Sequence, residues 1–258
     1  MEPPPSSGVD LGAGFGVPPG TPEDQWASWY GPRHLPPVPP PGEPVVVVAA
    51  HPGDEVLGFG GSLAVLAAGG AEVHIVSVTD GEGSPPHSTL DASDEPARVR
   101  HRELLHALAK LGLSEVRVER LRIPDTRVDR HQGTVARAIA GLLREVEAAR
   151  CVAPWVGDLH GDLEAAGRAA VDACRATGVP LWMYPVWMWH WARPEDPRVP
   201  WDLAAHLPLP PEATALKSLA IAEFVSQIRP SGNGAERAAI LPPDEVAHHI
   251  RSFEVVFR

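Results

Sequence analysis

The sequence predicts an α/β protein whose core is a doubly wound, mostly parallel β-sheet of the Rossmann-like type. Three observations support this prediction: strand-like and helix-like segments alternate from residue 45 onward, several strand-like segments are apolar along their length, and glycines close several of the helix-like segments. Strands that are apolar on both faces and joined by helices are typical of a parallel sheet covered on both sides. The 258-residue chain is long enough for one such domain.

The individual elements follow from the spacing of apolar residues. Continuous apolar runs predict strands, and apolar residues three or four positions apart predict helices. The predicted strands are 45–50, 72–79, 116–123, 151–154 and 181–186, with an edge strand at 253–257, and the predicted helices are 56–70, 95–111, 132–149, 164–177 and 215–225. A proline-rich loop is predicted over 189–214.

The first 44 residues differ in composition from the rest of the chain. They are rich in proline and glycine and poor in aliphatic residues, so they cannot bury enough apolar surface to offset the entropy lost on ordering. We therefore expect a Pro/Gly-rich arm over 1–44 and a single α/β domain over 45–258. The aromatic stretch from Trp26 to Tyr30 could dock this arm onto the domain or onto a partner chain, and the sequence leaves both open.

Composition and charge exclude several classes of function. A net charge of −11 disfavours a nucleic-acid surface, which is usually basic. The sequence contains no apolar run of the ~18 residues that a membrane helix requires, so we expect no membrane segment and a cytoplasmic location. Cys151 and Cys174 do not form a Cys-x-x-Cys pair and are expected to be buried, reduced thiols. Self-association into a homo-oligomer stays open.

A polar turn, Ala-His-Pro-Gly-Asp-Glu, follows the first predicted strand at residues 50–55. Ligands of open parallel sheets bind beyond the carboxyl ends of the strands. His51 and Asp54 can converge on one divalent ion there, since zinc accepts both nitrogen and oxygen ligands. They also suit a simple turn in which Asp54 caps the next helix. The pattern alone leaves both interpretations open.

The glycines at 58, 60 and 61 suggest a dinucleotide-binding turn as a weaker alternative. The third glycine of a G-x-G-x-x-G pattern would fall at Leu63, and the first lies too far into the predicted helix to cradle a pyrophosphate. The spacing therefore disfavours a nucleotide site.

A second polar cluster, Gly-Asp-Leu-His-Gly-Asp-Leu-Glu, follows the fourth predicted strand at residues 157–164. Together the two clusters resemble the PIG-L/LmbE family of zinc-dependent N-acetyl-sugar deacetylases, whose pattern is Ala-His-Pro-Asp-Asp-Glu after the first strand and His-x-Asp-His before a later helix. The resemblance covers about residues 45–258 and includes matches at 79–82, 100–103, 111–112, 124–125, 184–191 and 217–227.

The resemblance implies hydrolysis of the acetamide of an N-acetylated amino-sugar conjugate with a Zn²⁺ cofactor. It implies that His51 and Asp54 bind the metal. It also implies that His160, oriented by Asp162, assists the oxyanion or the leaving group.

Residues for binding the substrate are less clearly marked. Arg100 matches a family position that can contact substrate, although an arginine on an amphipathic helix is often a surface charge. Trp187 and His190 lie in the aromatic stretch 182–191, which could stack on a sugar or pack in the core.

The sequence departs from the family pattern at three positions. Gly53 stands where the family has its general base, Leu163 stands where it has its third metal ligand, and Phe224 stands where a histidine often precedes Ser-Gln. Glycine cannot accept a proton, and a positioned general base is worth about 10²–10⁴-fold in rate. We therefore expect impaired hydrolysis, with a non-catalytic sugar-binding or regulatory pseudoenzyme as the alternative. Glu55, Asp158, Glu164 and His190 are the side chains that could substitute for the missing groups.

Overall fold

Seven strands form one sheet in the computed structural model, which describes residues 20–29, 31–83, 95–230 and 239–258 of the chain. The strands are β1 (Val45–Ala49), β2 (Val73–Ser77), β3 (Arg117–Arg120), β4 (Arg150–Pro154), β5 (Leu181–Tyr184), β6 (Ala204–Pro208) and β7 (Phe253–Phe257). Their order across the sheet is β3-β2-β1-β4-β5-β7-β6. The first five strands pair in parallel and β7 pairs antiparallel with both of its neighbours. The mostly parallel, doubly wound α/β fold is confirmed.

The helices form two packed groups, one containing α3, α4 and α8 and the other α5 and α6. The α-helices are α1 (Glu23–Ser28), α2 (Gly31–His34), α3 (Asp54–Ala68), α4 (Glu95–Lys110), α5 (Gln132–Glu145), α6 (Gly161–Thr177), α7 (Met188–Trp191), α8 (Pro211–Ile221), α9 (Val225–Ile228) and α10 (Pro243–Ala247). Two short 3₁₀ turns cover Val128–His131 and Trp201–Leu203. These packed helices explain why β1 is buried along its whole length and consists of four valines and an alanine.

The C-terminal part of the sheet differs from the prediction. The segment 253–257 was expected at an edge, but β7 lies between β5 and β6. The edge strand is β6, which falls in the predicted loop 189–214. Its sequence, Ala-Ala-His-Leu-Pro, lacks the β-branched residues that mark strands, and its pairing with β7 supplies the structure that local propensity does not.

The glycines of α3 allow neighbouring elements to approach the helix closely. A Cβ atom at Gly58 would lie 2.0 Å from Cδ2 of Tyr184, whose hydroxyl donates to the Val48 carbonyl at 2.8 Å. The amides of Gly61 and Ser62 donate to the Glu254 carboxylate at 2.7 and 2.9 Å. These glycines serve helix packing, and the amides at 61 and 62 are engaged within the protein, which argues against the dinucleotide-binding alternative.

Glu254 joins β7 to α3 and α8 through a buried ion pair. Its carboxylate accepts a 2.7 Å hydrogen bond from Lys217 Nζ and a 2.6 Å hydrogen bond from the Ser62 hydroxyl. Both side chains of the ion pair are 2% exposed. Burial lowers the pKa of Lys217, while the Glu254 charge opposes that shift.

The described N-terminal residues pack onto the aromatic stretch of the sheet domain. Trp26 is buried, its indole nitrogen donates to the Trp189 carbonyl at 2.9 Å, and the two rings meet edge to face with centroids 5.0 Å apart. Glu23 accepts hydrogen bonds from His248 and Arg251. The sequence left open whether the aromatic stretch docks onto its own domain or onto a partner chain. In the structure Trp26 packs on Trp189 of its own domain. Tyr30 lies outside the described residues.

No helix within the described ranges is long and apolar enough to cross a membrane. The expected thiol state agrees with the structure, in which Cys151 and Cys174 are buried and free.

We predict that Glu254→Gln lowers the free energy of unfolding by about 3–5 kcal/mol, because it leaves the Lys217 ammonium buried without its counter-charge. The measurement is equilibrium denaturation followed by circular dichroism. Glu95→Gln, which breaks an exposed pair with Arg98, is the control and should cost less than about 1 kcal/mol. Equal losses in the two variants would contradict this account of the pair.

Candidate metal centre at the switch point of the sheet

Three chain segments meet where the strand order reverses. The chain runs outward from β1 to β2 and β3 and then returns to β4 on the other side of β1, so the carboxyl ends of β1 and β4 border a crevice. His51 follows β1, Asp162 lies in the first turn of α6 after β4, and Asp125 lies in the loop after β3. The sheet thus gathers one imidazole and two carboxylates at the position where ligands of this architecture bind.

His51 is the centre of this group. Its Nε2 lies 3.1 Å from Asp125 Oδ1 and 3.4 Å from Asp162 Oδ2. Its Nδ1 lies 3.2 Å from Asp54 Oδ2, and the same oxygen accepts the His51 backbone amide at 2.7 Å. The ligand atoms of His51, Asp125 and Asp162 all lie within 4.8 Å of one another.

Backbone amides hold the carboxylates of Asp125 and Asp162, the two residues that face His51 Nε2. The Thr126 amide donates to Asp125 Oδ1 at 2.8 Å and to Asp162 Oδ2 at 2.7 Å. Gly83 donates to the other oxygen of Asp125 at 2.9 Å, and Val128 donates to the other oxygen of Asp162 at 3.1 Å. Hydrogen bonds of this kind fix the direction of carboxylates that bind metals.

The charges around His51 favour a cation at this position. Burial lowers the pKa of His51, but the carboxylates of Asp54, Asp125 and Asp162 outweigh it and raise the pKa well above its ordinary value. Burial raises the pKa of Asp125, but its bond to His51 outweighs this and holds that pKa well below its usual range. Acidic groups buried this closely are stable only with positive charge between them.

The donors fit a divalent ion. Two ligands at about 2 Å from a tetrahedral ion are about 3.3 Å apart, which agrees with the separations of 3.1 and 3.4 Å at His51 Nε2. Nitrogen and carboxylate oxygen are both donors that Zn²⁺ accepts. His51, Asp125 and Asp162 are therefore the residues that could hold the ion, and Asp54 lies on the opposite ring nitrogen.

The two residues predicted to act on the substrate lie beside this group. The rings of His160 and His51 meet edge to face with centroids 5.2 Å apart. Burial lowers the pKa of His160, and the neighbouring His51 lowers it further, so the ring is neutral at pH 7. Its Nδ1 is buried, with no hydrogen-bond partner in the described part of the chain. Asp162 bonds the backbone of 126 and 128, so the described residues show no hydrogen bond by which it would orient His160.

The residues predicted to bind substrate have mainly internal partners. Arg100 in α4 is buried and donates to the carbonyls of Pro52 at 3.0 Å and Gly81 at 3.3 Å, so it ties the turn after β1 to the loop after β2. His190 is hydrogen-bonded to Glu245. Trp187 is half-buried, and its ring lies edge to face against that of His190, with centroids 5.5 Å apart.

Gly53 and Phe224 are in contact. Gly53 has φ +114°, a backbone conformation that favours glycine, and a Cβ atom there would lie 3.2 Å from Cε1 and Cζ of Phe224. The phenyl ring therefore lies beside the position from which the family's base would project. Leu163 is fully buried in the main hydrophobic core.

Glu55, the first of the candidate substitutes, caps its own helix. It is fully buried, and its Oε2 accepts the Gly53 amide at 2.9 Å. Burial raises its pKa to about 8, so the carboxyl holds a proton at pH 7. It has no exposed surface from which to reach a substrate in this conformation.

Asp158 and Glu164 also have other partners. Asp158 is fully buried and accepts the amides of Val186, Trp187 and Met188, so it holds the turn after β5. Burial raises its pKa to about 7. Glu164 accepts the amide of Leu159 and lies 3.5 Å from Arg168.

Sequence reasoning missed the part that Asp125 plays. Asp125 lies in the matching stretch 124–125, and the motifs alone do not mark it as a ligand. The available signal was its position: it follows the third predicted strand, so it belongs to the same carboxyl edge as His51 and Asp162.

Comparisons with known proteins point to one family. The family model described as "PIG-L: GlcNAc-PI de-N-acetylase" matches residues 46–174. A deacetylase of Rhodococcus opacus that is named for 1D-myo-inositol 2-acetamido-2-deoxy-α-D-glucopyranoside is 30% identical over 197 residues, which cover 67% of this chain and 63% of the relative. The chain thus matches less than two thirds of that relative's length.

Solved structures show the same fold. The zinc-inhibited form of a teicoplanin deacetylase has a TM-score of 0.59 at 22% identity, covering 83% of this chain and 96% of that one. The N,N'-diacetylchitobiose deacetylase of Pyrococcus horikoshii has a TM-score of 0.54 at 20% identity, covering 80% of this chain and 76% of that one. Because the family model spans half of the chain, including the turn at His51 and the start of α6, the protein belongs to the PIG-L deacetylase family.

Proposed function

We propose that this chain recognises an N-acetylated amino-sugar conjugate at the carboxyl edge of its sheet and hydrolyses the acetamide poorly. The contact between Gly53 and Phe224 carries the second half of this proposal. A deacetylase needs a group that takes a proton from the attacking water. Gly53 offers no such group, and a side chain at this position would begin 3.2 Å from the phenyl ring of Phe224.

The substitutes available in the sequence do not repair this loss. Glu55 is the candidate nearest to Gly53 in sequence, but its carboxyl accepts a hydrogen bond from the Gly53 amide and is protonated at pH 7. A protonated carboxyl cannot act as a base. Of the steps in deacetylation, removal of a proton from the attacking water is therefore the one for which the chain's own residues are least suited.

Other parts of the site remain suited to an acetamide. A divalent ion held by His51, Asp125 and Asp162 would polarise the acetamide carbonyl when bound. His160 is a neutral imidazole at the edge of the same group and can donate a hydrogen bond to a carbonyl oxygen. Recognition can thus persist where hydrolysis is slow.

The relatives support a substrate class for this proposal. The Rhodococcus opacus relative is named for an acetamido-glucopyranoside and the Pyrococcus horikoshii protein for diacetylchitobiose. The half-buried Trp187 offers an aromatic surface of the kind on which sugar rings pack. We extend this class to the present chain, with a cytoplasmic location.

A non-catalytic binding or regulatory protein is the second candidate. It is favoured by Leu163, whose side chain is fully buried in the core where the family pattern has a metal-binding histidine. The two candidates differ in turnover and not in binding. Release of free amine from N-acetylglucosamine conjugates separates them, and titration calorimetry tests the binding that both require.

We predict that the wild-type protein releases amine from N-acetylglucosamine conjugates at least about 100-fold more slowly than the Gly53→Asp/Leu163→His/Phe224→His variant, because a positioned base contributes about 10²–10⁴-fold. Both proteins are assayed by fluorescent amine detection with Zn²⁺ supplied, after circular dichroism has verified their folding. Wild-type turnover within tenfold of the variant would contradict the proposed impairment. Undetectable wild-type turnover with calorimetric binding of the conjugate would favour the second candidate.

We also predict that Gly53→Asp alone lowers the free energy of unfolding by about 1–3 kcal/mol, because it places a side chain at a strained φ and against Phe224. Adding Phe224→His should reduce that loss, since the aromatic contact is relieved. The measurement is a double-mutant cycle in urea.

Gly70→Asp is the matched control for this cycle. Gly70 also has positive φ, at +73°, but a Cβ atom at this position would meet no heavy atom within 4 Å. The loss in free energy of unfolding caused by Gly70→Asp should therefore be additive with that caused by Phe224→His. Additivity at position 53 as well would show that the phenyl ring does not restrict that site.

A further inference from the structure

Two cysteines lie together at the end of the sheet opposite to the candidate metal centre. Cys151 is the second residue of β4, and Cys174 lies in the last turn of α6. The connection from α6 to β5 is short, since the helix ends at Gly178 and the Pro180 carbonyl already accepts the Cys151 amide at 3.0 Å. The path of the chain thus places the end of α6 beside the start of β4.

The two thiols are neighbours within the main hydrophobic core. Both cysteines are buried and free, and their side chains interact directly with each other. A thiol with a second thiol beside it has a partner for disulfide formation, which an isolated buried thiol lacks. This pair therefore differs from two cysteines that only fill space in a core.

The two thiols differ in their access to solvent. Cys151 has no exposed surface, whereas Cys174 is 7% exposed and lines an open surface cavity of about 310 Å³. The other residues that line this cavity are Val171, Arg175, Gly178, Val179 and Leu181. A small reagent in the cavity can therefore reach Cys174, and it can reach Cys151 only through Cys174.

Arg150 brings positive charge to the exposed member of the pair. It directly precedes Cys151 in β4, and its charge interacts with Cys174. Its guanidinium carbon lies 4.6 Å from the centroid of the Trp182 ring, and its Nε is buried with no hydrogen-bond partner among the residues that the structure describes. An arginine beside a cysteine favours the thiolate.

The pKa values of the two thiols shift in opposite directions. The interaction with Cys151 and the charge of Arg150 hold the pKa of the Cys174 thiol below its ordinary value, although burial opposes this shift. The interaction with Cys174, together with burial, raises the pKa of the Cys151 thiol well above its ordinary value. The thiolate is the nucleophilic form of cysteine. Cys174 is thus the sulfur suited to attack, and Cys151 keeps its proton beside it.

We propose that Cys174 is an oxidation site and that Cys151 converts its oxidised form into a disulfide joining α6 to β4. The oxidant it would take is a small hydroperoxide, because only a small part of the Cys174 side chain faces the cavity. The pair lies at the amino end of β4, away from the residues that carry the proposed function, so the inference does not depend on deacetylation.

The reaction has two steps. In the first, the Cys174 thiolate attacks one oxygen of the hydroperoxide, a sulfur–oxygen bond forms, and the oxygen–oxygen bond breaks. The leaving alkoxide or hydroxide takes a proton from solvent, so the sulfur is oxidised to a sulfenic acid and the peroxide is reduced to an alcohol or water. In the second, the Cys151 sulfur attacks the Cys174 sulfur, and the displaced hydroxide leaves as water with the Cys151 proton.

The test treats the reduced full chain with hydrogen peroxide, counts thiols in denaturant with Ellman's reagent, and maps peptides by mass spectrometry without reduction. We expect both thiols to be lost together within single chains, with a Cys151–Cys174 peptide that dithiothreitol reverses. In Cys151→Ala, Cys174 should stop at the sulfenic acid, which dimedone traps. In Cys174→Ala, Cys151 should keep its thiol, because no exposed sulfur leads to it.

A wild type that keeps both thiols would overturn the proposal, as would disulfides formed only between chains. Equal resistance of Cys151→Ala and Cys174→Ala to peroxide would also overturn it. If Cys151→Ala does not fold, the wild-type peptide map and Cys174→Ala decide.

Arg150→Gln tests the charge beside Cys174. It should slow the loss of thiols at pH 7 severalfold, because less of Cys174 is then thiolate. Arg144→Gln is the matched control, since Arg144 donates to the Ala176 carbonyl at 3.2 Å at the same helix end and should not affect the rate. Equal rates in the two variants would contradict the part assigned to Arg150.

Discussion

The position of one imidazole among three buried carboxylates is the constraint on which the site depends. His51 meets Asp54 through one ring nitrogen and Asp125 and Asp162 through the other. These acidic groups come from three chain segments: the start of α3, the loop after β3 and the first turn of α6. Their mutual repulsion would drive these segments apart without positive charge between them. A protonated His51 supplies that charge in the absence of metal, and a divalent ion would supply more. The need for positive charge among these carboxylates therefore affects both the stability of this sheet edge and the ligand that it can bind.

The departures from the family pattern are physically connected. Phe224 packs on the turn whose glycine lacks a Cβ atom, and the positive φ of Gly53 is one that an aspartate would adopt only under strain. The ring and the glycine therefore complement each other, and reversing the glycine alone creates a conflict. Leu163, by contrast, is fully buried in the hydrophobic core and contributes the packing of an aliphatic side chain there.

The sequence allowed the sheet to be predicted well where local signals and burial agree. All five of the first strands were placed correctly. β1 is a fully apolar run, as a parallel strand buried on both faces must be, whereas β3 is a partly exposed edge strand with the sequence Arg-Val-Glu-Arg. β6 was missed because its residues are not typical of strands, and β7 was misplaced because a sequence does not say which neighbours a final strand finds. In the site, the turns of His51 and His160 could be found by motif. Their mutual geometry, and the internal partners of Glu55 and Asp158, required the fold.

Asp125 shows why the site could be predicted only in part. It is 74 residues from His51 in sequence, and its carboxylate reaches the switch point only because the loop after β3 turns back across the sheet edge. That path depends on backbone conformations with positive φ at Arg122 and Thr126, which neither residue type signals. The amide of Thr126 then bridges Asp125 and Asp162, so the strained turn and the pairing of the carboxylates are one structural feature.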